Sequence, residues 1–182
     1  MDSNGGNRNG GSGKSNPPFN QEELTALFRK LGASDPEGWA GSQVREGINQ
    51  LARFLFLRKA WSLIVREGDT SWIDGEIKYA EAKPQKSYAG VGTALKTLRS
   101  LGAGDDQIID IVRGMQAELL FGFCYLLDEG GDHETESLGV LWGLVQMDTD
   151  GRPLEPISSL HESVLETDPT GREMRPRKSL GP

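Results

Sequence analysis

Several short runs of this sequence carry side chains suited to chemistry. The first lies in Asp105–Asp128, DDQIIDIVRGMQAELLFGFCYLLD, where Arg113, Gln116 and Glu118 interrupt a largely apolar stretch. Two charges and an amide in such a setting either line a pocket or tie neighbouring elements together, because an unpaired buried charge is very costly. The second is His161, within Ser159-Leu160-His161-Glu162. A histidine beside a carboxylate can serve as a general acid or base. Paired with Glu118 or Arg113, His161 would make a small metal-independent catalytic group; alone, it is an ordinary surface residue near a helix start.

The remaining runs are weaker. His133 sits in Asp132-His133-Glu134-Thr135-Glu136, a cluster that matches no defensible ligand spacing. Asp148-Thr149-Asp150-Gly151 resembles part of a calcium loop. Its alignment puts Gln146 at the first ligand position and Ile157 at the twelfth, so the carboxylates the cation needs are missing. A turn explains these residues. Cys124 is the only cysteine and has apolar neighbours, so it reads as a buried, inert thiol. No phosphate-cradling loop with lysine, no nucleophile elbow and no paired cysteines occur. Neither a metal nor a cofactor is called for.

Position decides what the polar residues of the long run can reach. At about 100° per residue, with Ile108 at zero, the residues Ile108, Val112, Met115, Leu119, Phe123 and Leu126 gather on one face. That face is the expected core face. Gln116 falls at about 80°, inside its edge, while Arg113 and Glu118 fall at about 140° and 280°. Arg113 and Glu118 therefore cannot pair with each other. Each is expected to be buried and to need a partner from elsewhere, with Asp110 a candidate for Arg113.

The elements around this helix follow from caps and periodicity. Phe19, Asn20, Glu23 and Leu24 form a capping box with a hydrophobic staple, opening a helix that ends near Gly32. Ser34–Gly41 reads as a turn, with Trp39 held between glycines and open to a partner. Val44, Ile48, Leu51, Leu55, Ile64 and Val65 predict one helix from Ser42 to about Glu67. A third helix runs from Asp69 or Thr70 to before Pro84, and a fourth over about 89–101. Asp105 is the expected cap of the fifth. Leu138–Met147 and Pro153–Ile157 flank an Asp-Gly turn and predict a hairpin; residues 160–166 predict a short helix. The expected fold is mainly α: a compact bundle of about five helices around a long central helix, with a short C-terminal β-hairpin and a terminal helix.

Segment 1–18 holds five Gly, four Asn and three Ser and cannot supply a core. It reads as a disordered tail. Residues 19–171 read as a single mainly helical domain, and 172–182 as a basic flexible tail. The single cysteine, the lack of a leader-like start and the lack of a long apolar run favour a cytoplasmic protein with no membrane partner.

Charge is uneven along the chain. Residues 1–104 hold 14 Lys/Arg against 11 Asp/Glu, whereas 105–182 hold 6 against 16. An acidic half disfavours nucleic acid as the main partner, since phosphates require clustered cations. It suits a basic protein partner, with Asp132, Glu134, Glu136 and Trp39 as contact residues. The expectation is a non-catalytic interaction protein, immunity- or antitoxin-like in its charge logic. The alternative is the small enzyme built on His161 with Glu118 or Arg113.

Overall fold

The computed structural model describes residues 19–177. The Gly/Asn-rich segment 1–18 and positions 178–182 of the expected basic tail lie outside the described residues. Seven helices, an antiparallel hairpin and a final short helix follow one another: α1 Gln21–Leu31, α2 Pro36–Glu46, α3 Gln50–Trp61, α4 Ser71–Ala82, α5 Ala89–Ser100, α6 Asp105–Glu129, α7 His133–Ser137, β1 Leu144–Met147, β2 Pro153–Ile157 and α8 Leu160–Ser163. Among the described residues, no helix is long and apolar enough to cross a membrane.

The first helix forms as its caps dictate. Asn20 accepts from the Glu23 N–H at 3.0 Å, and the Glu23 carboxylate accepts from the Asn20 N–H at 2.8 Å. Gly32 ends the helix in the left-handed conformation.

The predicted helix over 42–67 is two helices, and the predicted turn before it is helical. Asp35 accepts from the Gly38 N–H at 2.9 Å and Pro36 occupies the first turn, so α2 begins early. Gly47 closes it at φ 71°. The Gln43 side chain then accepts from the Leu51 N–H at 2.8 Å, capping α3 from the neighbouring helix. Apolar spacing continues through the break, which is why periodicity alone joined the two.

Helices α4 and α5 form a tight pair. A Cβ on Gly92 would meet the Glu76 carbonyl oxygen at 2.0 Å, so only glycine permits this approach. Asp105 is the first residue of α6 rather than its cap. Arg99 grips its carboxylate with Nε and Nη2, each at 2.8 Å.

Three apolar clusters result. Leu24, Phe28, Trp39, Ala40 and Phe54 join α1, α2 and α3. Ile73, Leu95, Ile108 and Ile109 join α4, α5 and the start of α6. Leu57, Trp61, Ala117, Cys124, Leu160 and Val164 join α3, α6 and α8. The long helix thus serves two of the three clusters. Each fully buried side chain of this size contributes about 1.5–3 kcal/mol, so the clusters and not the helix propensities hold the fold.

The hairpin docks on the third cluster through Leu144 and Ile157, which face each other across the ladder. The Asn49 amide also donates to Gln146 on β1 at 2.6 Å. Asp148 shapes the turn, accepting from the Asp150 and Arg152 N–H groups. Residues 172–177, expected to be loose, fold back onto α6. Arg172 pairs with Glu67 at 3.1 Å; Arg177 pairs with Asp110 at 3.0 Å and Asp106 at 3.1 Å.

Candidate functional site

The polar residues of α6 have separate fates. Arg113 is 1% exposed. Its guanidinium donates to Asp168 Oδ1 at 2.5 Å and to the Val65 carbonyl at 2.8 Å, and lies over the Trp61 ring at 5.0 Å. Asp168 is itself buried and accepts from the Thr170 N–H and hydroxyl. Gln116 accepts from the Val65 N–H at 2.8 Å. Arg113 and Gln116 therefore hold both polar groups of one residue. Asp110, the predicted helper of Arg113, is committed to Arg177 instead. Gln116 is half-buried, and Glu118 is exposed on the outer face rather than buried.

The expected core face of α6 also needs correction. Ile108 is buried as predicted, but Met115 is 66% and Leu119 61% exposed, and Phe123 and Leu126 are exposed with them. The packed face instead carries Ile109, Arg113, Ala117 and Cys124. The second half of the helix is apolar around most of its circumference, so periodicity could not choose a face. The chosen face bears the small residues, Ala117 and Cys124, which pack with Leu57, Trp61 and Leu160.

His161 is not joined to Glu118 or to Arg113. Its Nδ1 lies 2.6 Å from Asp128 Oδ2, and its backbone N–H donates to the same oxygen at 2.9 Å. The rings of Phe121 and Tyr125 stand edge-on to the imidazole at 5.7 and 5.2 Å. Burial pushes the Asp128 carboxyl up, but hydrogen bonds from His161 and Leu160 outweigh it and hold it below the usual carboxylate range. Sequence reasoning missed Asp128 because it sits in the last turn of an apolar helix, where an acid reads as surface. Burial and the nearby Asp128 charge push the Cys124 thiol up to about 11, which makes it a poor nucleophile.

The residues expected to meet a partner are also separated. Trp39 belongs to α2, not a loop, and is 5% exposed among Phe28 and Phe54, with centroids at 5.9 and 5.2 Å. Asp35-Pro36 starts the helix early enough to turn its ring inward, so it is no partner contact. Asp132 caps α7, accepting from the Thr135 N–H at 2.9 Å while the Thr135 hydroxyl accepts from its own N–H. The Thr135 N–H holds the Asp132 carboxyl below its ordinary value. Glu134 and Glu136 lie on the short α7, whereas Trp39 packs in the cluster of α1, α2 and α3.

The side chains left unpartnered make a surface. Ile111, Met115, Leu119, Phe123 and Leu126 form an exposed apolar stripe along α6. Beyond the helix end Leu138 and Leu141 are also exposed, and the Trp142 indole donates to the Leu126 carbonyl at 2.7 Å. Every charge on α6 except the buried Arg113 is an acid. No family model, curated protein or solved structure matches this chain. The chemistry of this surface therefore carries the functional reading. An exposed apolar patch of this extent, rimmed by charge, is a mark of interaction sites.

Proposed function

We propose that the protein is a non-catalytic interaction domain whose acidic C-terminal half engages a basic protein partner. The observation that carries this is the unpartnered stripe of Met115, Leu119, Phe123 and Leu126, bordered by Glu118 and Glu129. Apolar contact supplies affinity, and the carboxylates steer and select cations around it. A second copy of the chain is a poor occupant, because self-pairing along the stripe would set its bordering carboxylates, Glu118 and Glu129, against those of the other copy. A cationic toxin neutralised by an immunity- or antitoxin-like protein has the matching chemistry.

The test uses a photo-crosslinking side chain at position 119 of the full chain, in cells that make the protein naturally. We expect an adduct with a protein rich in Lys and Arg. Phe123→Glu, made in the chain that carries the crosslinker, abolishes it, and Glu134→Gln with Glu136→Gln weakens it less at high salt than at low salt. Asp132 is left intact because it caps α7. A self-adduct, or a partner lacking excess cations, overturns the reading.

A second reading, the small metal-independent enzyme, draws on the Asp128–His161 pair alone. Asp128 then orients His161, and neither Glu118 nor Arg113 takes part. An assay in which the protein shows turnover and His161→Gln shows the same turnover ends it.

A further inference from the structure

A polar cavity of about 330 Å³ lies away from the apolar stripe, between the start of α2, the start of α3 and the segment that carries α8. Its walls include Asp35, Gln50, Arg53, Glu162, Ser163 and Glu166. Two of these are withdrawn from water yet incompletely answered. Arg53 is 6% exposed and forms no direct ion pair among the described residues, although the charges of Glu162, Asp128 and Glu166 reach it; its one polar contact is a 3.4 Å bond from Nη1 to the Ser163 hydroxyl, and its Nε has no acceptor. Gln50 is 7% exposed; its amide nitrogen donates to the Ser42 hydroxyl at 2.8 Å, and its carbonyl oxygen has no donor. Buried polar groups are ordinarily satisfied, and a buried guanidinium without a carboxylate is rarer still.

The charges around the cavity are mixed. One guanidinium shares it with Asp35, Glu162 and Glu166. A simple anion would answer Arg53 but meet three carboxylates. A simple cation would answer the carboxylates but leave Arg53 buried and unpaired. Only a ligand with both signs close together satisfies the whole set. We propose that this cavity binds a free α-amino acid, with the carboxylate on Arg53 and Ser163 and the ammonium on Glu162, Glu166 and the Gln50 carbonyl.

The size agrees, because small-molecule sites begin at about 300 Å³. Two of the ligand-facing residues, Gln50 and Arg53, are three apart on α3, so one helix face presents an acceptor and a guanidinium together. Partial desolvation and the nearby charges of Asp35 and Glu173 push the Glu166 carboxyl above its ordinary value.

The test is calorimetric titration of the full chain with each of the free L-amino acids, with acetate and methylamine as single-charge probes. We expect at least one amino acid to bind at least about tenfold more tightly than either probe, since each lacks one of the two charge-assisted contacts. Arg53→Met should weaken that binding about tenfold or more. Glu166→Gln, on the exposed rim, should weaken it by a smaller factor without disturbing the fold, which keeps the test valid if Arg53→Met does not fold. Failure of every amino acid to bind overturns the proposal, as does acetate binding as tightly as any amino acid. Unchanged binding in both Arg53→Met and Glu166→Gln overturns it as well.

Discussion

Two arginines among the described residues are withdrawn from water, and their surroundings differ. Arg113 has Asp168 at 2.5 Å, a backbone carbonyl and the face of Trp61. Arg53 has a single long bond to a serine hydroxyl, and burial lowers its affinity for its proton. Both lie on helices and both are less than a tenth exposed. The difference lies in what the chain provides around them. The first arginine is an internal fastener, answered from within. The second faces a cavity and is left for something outside the chain.

The comparison breaks most readily at Arg113. Arg113→Ala leaves Asp168 as a buried, uncompensated carboxylate, and we expect a loss of about 3–5 kcal/mol in urea unfolding. A loss below about 1 kcal/mol would mean that the pair is not structural. Asp128 and His161 give an intermediate case. Asp128→Asn should cost about 1–3 kcal/mol, because hydrogen bonds to a charged carboxylate are lost. The folded-state pKa of Asp128 lies below its unfolded value, so its contribution is present above the ordinary carboxylate range and is lost as pH falls through the lower folded value. Unfolding measured from neutral pH into acid should therefore show a shallower decline for Asp128→Asn than for the parent. The smallest effect belongs to Arg53. Arg53→Met removes no ion pair and should change stability by less than about 1 kcal/mol, in either direction. A cost equal to that of Arg113→Ala would erase the distinction.

The same contrast separates what sequence could foretell from what it could not. Local devices were legible: the Asn20–Glu23 box, the Asp-Gly turn of the hairpin and the length of α6 all arise from neighbouring residues. The burial of Arg113 was legible too, as a charge in an apolar run. Its partner was not, since Asp168 lies 55 positions away and its turn reads as surface. The face of α6 was misread because a helix apolar on several sides leaves the decision to its neighbours. Glu118 fell on the outer side of that decision and Gln116 on the inner. The break at Gly47 was hidden because the apolar rhythm continues across it, and Gln43 of α2 reaches over to cap α3. Trp39 was misplaced because the glycines flanking it weighed more than the Asp35-Pro36 start before it.

Val65 belongs to no helix, yet α6 occupies both of its backbone polar groups, Gln116 on the N–H and Arg113 on the carbonyl. Its amide hydrogen can reach solvent only when the long helix parts from the segment after α3. In deuterium exchange this residue, outside any regular element, keeps the slow clock of the core rather than the fast one of loops. One amide thus times the separation of two stretches of chain whose sequences lie some fifty residues apart.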